Sequence, residues 1–310
     1  MRRFFDLLAM GRASNLPTVW SNVLVTAFFL KLHFLTLEVL YLLLASTLLY
    51  LGGCFLNDWR DVVFDRKHKP DRPIPSGRFT RKSVLFLAVL NQALGFALVL
   101  VITPRPAATT ALALSLLASI WLYTWFHKEK IWSLFFMAGA RLFLYLLAWT
   151  SLSNLPIPAE LIVVATLMAS YIVGISFTAK NEAKSLATQE KPPTWPLLPF
   201  LLPSITASIL IVIPRNTANE TRYLAIALAI GLIVITVQSY RTMTETKEIG
   251  PFVARQLRRI PLVDFILLLA FHTLAIQNGI FSSATSVLAF FVFLPLYLVA
   301  LMWQKITPAT

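Results

Sequence analysis

Apolar stretches long enough to cross a bilayer recur along the whole chain, separated by short polar segments. Their lengths predict membrane-spanning helices over 16–32, 36–57, 83–103, 107–126, 131–152, 158–179, 196–213, 221–240, 261–278 and 283–303. The stretches at 196–213 and 261–278 carry the weakest pattern, so nine or ten spans are expected. Nothing outside them is long enough for a second folded unit, and residues 1–310 read as one transmembrane domain. Composition agrees. Apolar residues make up 57% and charged ones 13%, against about 25% charged in soluble proteins. The expected class is an all-α polytopic membrane protein.

The polar segments fall into two sets. Residues 58–82, 180–195 and 241–260 are long and charged, whereas 33–35, 104–106, 153–157 and 279–282 are short. The net charge of +13 raises the question of a nucleic-acid partner. Its distribution answers it. With the N-terminus inside, all of the 27 lysines and arginines except Lys31, Arg105, Arg141, Arg215 and Arg222 fall on inner segments. This is the positive-inside pattern. It supports an even number of spans, a cytoplasmic N-terminus and cytoplasmic charged loops, with no nucleic acid implied. The first span lacks a small-residue cleavage site and is expected to be retained. Cys54 is the single cysteine, which rules out an intrachain disulfide and reads as a small packing residue. Segment 250–260 is basic and amphipathic and is expected to lie along the membrane surface before the ninth span.

Residues 57–65 bring chemistry into the picture. They read N-D-x-x-D-x-x-x-D, and four of the six aspartates, Asp58, Asp61, Asp65 and Asp71, fall close together. On a helix advancing about 100° per residue, Asn57, Asp61, Asp65 and Asp58 point at about 0°, 40°, 80° and 100°. Three carboxylates on one arc repel one another unless cations sit among them. Hard oxygen ligands in this number suit Mg2+, which keeps waters and bridges carboxylates to phosphates. The competing reading is a solvated helix end neutralised by Arg60, Arg66 and Lys67.

Downstream, a run of cations from Arg66 to Arg78 is interrupted by Pro70, Pro73, Pro75 and Gly77, which break the helix carrying the acids. Cations on the same face as a carboxylate array are what a diphosphate needs. Arg66, Arg72 and Arg78 are candidate contacts, while Arg81 and Lys82 read as topological anchors. Arg141 falls in the middle of a span, where a charge costs about 2.5–3.5 kcal/mol on insertion scales. Either it lines an active cavity, pairing a substrate acid group or Glu182, or it is held by structural hydrogen bonds. His272 reads as a packing histidine, and Tyr123 and Tyr171 as cavity residues.

The acidic array followed by R-P-I-P-S-G resembles the UbiA superfamily of intramembrane prenyltransferases. Arg12…Asn15 is similar to the family's R-x-x-N start, Tyr123…Lys128 to its Y-x-x-x-x-K, and Gly139-Ala-Arg141 to a later intramembrane Arg. The resemblance implies a helical bundle around a central cavity opening to the cytoplasmic side. It implies a prenyl diphosphate held through Mg2+ by Asp58, Asp61 and Asp65 with Asn57 assisting, and a lipophilic or aromatic acceptor within the membrane lipids. The family's second acidic motif, D-x-x-x-D, has no counterpart. That loop reads Thr178-Ala-Lys180-Asn181-Glu182-Ala-Lys184-Ser185, a pattern similar to the EboC-like branch. Asn181 and Glu182 are then candidates for one cation, and Lys180 or Lys184 for direct phosphate pairing. A terpene cyclase or an isoprenoid carrier on the same scaffold remain the alternatives. An alcohol phosphotransferase would need D-G-x-x-A-R, which is absent.

Overall fold

The computed structural model describes residues 2–32, 36–181, 197–212, 220–276 and 283–307. Among these residues all regular structure is helical. The order is α1 (Arg2–Met10), α2 (Leu16–Phe29), α3 (Leu37–His68), α4 (Arg81–Ile102), α5 (Pro106–Phe126), α6 (Leu134–Leu152), α7 (Ala159–Lys180), α8 (Leu197–Val212), α9 (Glu220–Thr246), α10 (Ile249–Ile276) and α11 (Ser283–Trp303). Short 3-10 turns at Ala13–Asn15 and Ile131–Ser133 lead into α2 and α6. Six segments among the described residues are long and apolar enough to cross a membrane: α3, α4, α5, Ile131–Leu152, α7 and Ala225–Thr246. The protein is a multi-pass membrane protein.

The helix that matters most for chemistry is α3. Its 32 residues rise about 48 Å at 1.5 Å each, well beyond a hydrocarbon core of about 30 Å. The expected span ended at residue 57, but the helix continues to His68 because no breaker precedes Pro70. Arg66, Lys67 and His68 also complement the negative end of its dipole. The acidic array therefore rides on rigid helix projecting past the apolar layer. After it the chain turns through Pro73–Gly77, where Gly77 takes φ 77°, a backbone region open to glycine at little cost. Thr80 then caps α4 by accepting a hydrogen bond from the Ser83 amide at 3.1 Å.

Close packing of α4 holds α3 in place. A Cβ at Gly95 would lie 2.8 Å from the Ala45 carbonyl oxygen, and one at Gly52 the same distance from that of Ala88. Two glycines on facing helices thus let the backbones approach as side chains would forbid. The other half of the bundle is built on aromatic packing. Phe200 of α8 sits edge-on to Tyr171 of α7 at 5.3 Å and to Phe252 of α10 at 5.5 Å.

That cluster corrects the reading of 250–260 as a surface segment. These residues form the first turns of the continuous helix α10, and Phe252, Val253, Gln256 and Ile260 are buried. An amphipathic pattern identifies a buried face but not what buries it, and here protein does. Tyr171 is likewise a core residue, donating to Gln256 Oε1 at 2.9 Å. His272 falls where no side chain is described.

Candidate active site

Asn57, Asp58, Asp61 and Asp65 are all buried on one face of α3, with Asp65 only 3% exposed. Each carboxylate meets a cation from a different part of the chain. Asp65 Oδ2 receives Arg72 Nη1 at 2.9 Å, and the same nitrogen lies 3.7 Å from Asp58 Oδ1. Arg12 Nη2 approaches Asp58 Oδ1 at 3.9 Å. Asp61 Oδ1 meets Lys128 Nζ at 2.9 Å and His127 Nε2 at 3.3 Å. Repulsion among the acids is thus relieved by protein cations, and among the described residues no three His, Cys, Asp or Glu side chains close around a single point.

Whether the residues fit Mg2+ is decided by their donor chemistry. The face offers oxygen ligands alone, and Asn57 Oδ1 is a buried acceptor with no hydrogen-bond partner while its Nδ2 donates to Asp61 Oδ2 at 3.3 Å. A buried acceptor without a donor is costly, and a cation beside the carboxylates would satisfy it. Mg2+ needs only one or two protein carboxylates, the rest of its shell being water and phosphate. The site fits.

The surrounding groups are set by local structure. Arg12 adopts φ 45° and ψ 49°, a left-handed conformation that costs a non-glycine residue about 1–2 kcal/mol. Its backbone places it beside Asp58 and under Tyr50, whose hydroxyl lies 3.5 Å from the Arg12 carbonyl. Tyr123 stacks on His127 at 5.2 Å. Lys128 also covers the Phe64 ring at 3.8 Å. Lys180 Nζ donates to the carbonyls of His127 at 2.9 Å and Lys130 at 2.6 Å, fastening this turn to the end of α7. In this structure Lys180 thus ties the turn after α5 to α7. Beside Asp61 a pocket of about 330 Å³ opens between α3 and α5, lined in part by Arg60, Phe64, Lys67, Trp125, His127 and Lys128.

Other expected site residues sit elsewhere. Arg78 grips Asp6 of α1 through two nitrogens at 2.8 and 3.1 Å and bonds the Asp71 carbonyl, away from the acidic face. Arg66 is exposed on the far side of α3. Asn15 is buried in the turn after Arg12. Asn181 closes its own helix by donating to the Phe177 carbonyl at 2.9 Å. Glu182 and Lys184 lie outside the described residues. Arg141 bonds α2, reaching the Thr18 carbonyl at 2.9 Å and Asn22 Oδ1 at 2.7 Å, and no described acid pairs it directly. The R-x-x-N motif marks Arg12 in the sequence without saying what it meets, and His127 carries no such signal; tertiary structure brings them to Asp58 and Asp61. Asp264, a lone acid in an apolar stretch, did carry a signal: ionisable groups inside spans are functional by default.

A digeranylgeranylglyceryl phosphate synthase from Methanospirillum hungatei is 36% identical over 78 residues, covering 25% of this chain and 27% of that protein. A 4-hydroxybenzoate octaprenyltransferase from Citrobacter koseri is 32% identical over 114 residues, covering 36% and 37%. The matched segments thus span well under half of these relatives. A solved UbiA homologue from Archaeoglobus fulgidus, bound to DMAPP and Mg2+, shares the fold with a TM-score of 0.56 at 13% identity, covering 85% of this chain and 99% of that one. The sequence model of the UbiA prenyltransferase family matches residues 14–257, more than half of the chain. This chain belongs to the UbiA prenyltransferase family.

Proposed function

We propose that residues 1–310 act as one intramembrane prenyltransferase, moving an isoprenyl group from a prenyl diphosphate to a lipophilic or aromatic acceptor. The observation that carries this reading is the convergence of Arg12, Arg72 and Lys128 on the three buried carboxylates of α3. Three negative and three positive charges balance in the resting site. A diphosphate adds negative charge, so the site accepts it only with further cations. Asp58, Asp61, Asp65 and Asn57 Oδ1 would hold Mg2+, which supplies neutralisation of the diphosphate as a leaving group. Arg12, Arg72 and Lys128, which now pair the carboxylates, would then be free to meet the phosphate oxygens.

With the diphosphate held, the allylic C–O bond breaks and its electron pair leaves with the diphosphate. The prenyl group is left with cationic character. Tyr50, whose hydroxyl lies 3.5 Å from the Arg12 carbonyl, and Tyr123, stacked on His127 at 5.2 Å, are the aromatic residues nearest the acidic face that would stabilise such a cation. The acceptor then attacks the allylic carbon and loses a proton. The projecting end of α3 and the N-terminus face the cytoplasm, as the distribution of lysine and arginine supports.

The test is diphosphate release by purified protein supplied with geranyl, farnesyl or geranylgeranyl diphosphate, with and without Mg2+. The C. koseri and M. hungatei relatives carry names for transfer to a hydroxybenzoate and to a glyceryl phosphate, so acceptors of both kinds are included. Mg2+-dependent release supports the reading. Donor binding that is indifferent to Mg2+, with no release under any combination, would leave an isoprenoid-binding protein instead.

A further inference from the structure

The pocket between α3 and α5 has an outer wall that the acidic face does not use. Arg60, Phe64 and Lys67 of α3 form it, together with Trp125 and Lys128. Counted at about 100° per residue from Asn57, Arg60 and Lys67 point at about 300° and 280°. Each is thus at least about 100° away from all three carboxylates. Proximity in sequence suggests both as neutralising partners of the acids. Neither enters an ion pair among the described residues.

Arg60 is the more telling of the two. It is half-buried, and its Nε is enclosed with no hydrogen-bond partner. An enclosed donor left unpaired costs about 1–3 kcal/mol. The guanidinium lies over the Trp125 ring at 5.3 Å. That contact occupies the face of the group and leaves its N–H edge for an acceptor from outside the chain. Lys67 stands exposed two turns further along α3. His68 donates from Nδ1 to the Phe64 carbonyl at 3.0 Å and stacks on the Phe64 ring at 4.1 Å.

Depth and charge identify the ligand. The pocket lies where α3 leaves the apolar layer. Beside it Trp59 and Trp125 stand 6.5 Å apart, and Arg81 covers Trp59 at 4.7 Å. Tryptophan collects at headgroup level. Toward the apolar layer, Trp121 and Trp125 follow one turn apart on α5 and are 37% and 46% exposed, a wall against which acyl chains can lie. Of the charges lining the pocket, Arg60, Lys67 and Lys128 face Asp61 and Glu129. With both histidines neutral, one positive charge is left over, which a phosphodiester balances.

We infer that this pocket, about 330 Å³ in volume, binds the phosphodiester headgroup of an anionic phospholipid. Arg60 and Lys67 hold the phosphate oxygens, and the acyl chains run along α5. Basic pockets between transmembrane helices take such headgroups. The lipid is a bound companion of the fold and not a reactant, because the cations that hold it point away from the acidic arc. The inference does not depend on the prenyltransferase reading.

Native mass spectrometry tests it by counting lipids retained on the full chain in neutral detergent. The chain is titrated with dioleoylphosphatidylglycerol or with dioleoylphosphatidylcholine. The wild type is expected to hold one phosphatidylglycerol about 10- to 100-fold more tightly than phosphatidylcholine, as hydrogen bonds to charged groups imply. Arg60→Gln/Lys67→Gln is expected to lose that preference. Lys82→Gln/Lys305→Gln removes the same charge elsewhere and is expected to keep it. If the first pair does not fold, Arg60→Lys/Lys67→Gln is used and is expected to keep only part. No preference in the wild type, an undiminished one without Arg60 and Lys67, or an equal loss in the control pair overturns the site. Inorganic phosphate that displaces phosphatidylglycerol at equal concentration overturns the assignment to a lipid.

Discussion

Arg72 Nη1 stands 2.9 Å from Asp65 Oδ2 and 3.7 Å from Asp58 Oδ1, so one guanidinium bridges two of the three acids on α3. The Pro-rich turn after α3 brings it back over the face that the helix presents. In the proposed reaction this same group, which neutralises the resting site, would turn to the diphosphate. The proposal therefore implies competition between protein cations and Mg2+ for the carboxylates.

Arg72→Ala exposes that competition. It leaves Asp65 buried without a charged partner, which costs about 1–3 kcal/mol. The expected outcome is a lower melting temperature in metal-free buffer that is restored by millimolar Mg2+, together with weaker donor binding. Thermal melts in detergent with and without Mg2+ measure it.

Lys128→Met removes both the 2.9 Å pair with Asp61 and the contact over Phe64. Charge-assisted hydrogen bonds are worth about 1.5–3 kcal/mol. The affinity for a prenyl diphosphate analogue is expected to fall by about 10- to 100-fold, as titration of that analogue would show.

Lys180 acts at one remove. By holding the carbonyls of His127 and Lys130 it fixes the turn that delivers His127 and Lys128 to Asp61. Lys180→Met is expected to reduce turnover with only a small loss of stability, and Lys180→Arg to recover most of it. The paired rate and melting measurements separate this from a direct phosphate contact, which the methionine variant would show as a selective rise in KM.

Gly95→Ala places a Cβ 2.8 Å from the Ala45 backbone carbonyl. Helix backbones do not yield as a flexible side chain does, and overpacking costs about 1–3 kcal/mol. Lower thermal stability is expected, with donor affinity per folded molecule unchanged.

Much of this is legible in the sequence. The apolar runs placed a helix in each expected stretch, since burial in lipid forces the backbone into helices. Asp58, Asp61 and Asp65 were legible because their spacing repeats with the helix and needs no tertiary contact to share a face. The partners of Arg12 and His127 were not, because a turn in left-handed conformation and the α5–α6 connection carry these residues to the site. Arg78 misled: its place in a constrained loop predicted a substrate contact, but Asp6, far away in sequence, claims it. Segment 250–260 misled for a related reason, since the amphipathic pattern is the same whether lipid headgroups or Phe200 cover the apolar face. The buried Asp264 had a signal as a lone acid, yet Ser21 and Asn22, which donate to it, are ordinary in sequence.

The central claim is that the α3 carboxylates bind the diphosphate through Mg2+. It is tested most directly by titrating farnesyl S-thiolodiphosphate into the wild type and into Asp58→Asn/Asp61→Asn, each with and without Mg2+. The account predicts that Mg2+ tightens binding to the wild type by at least about tenfold, the scale of one charge-assisted contact, and does nothing for the variant. Equal affinity with and without Mg2+ in the folded wild type would contradict it.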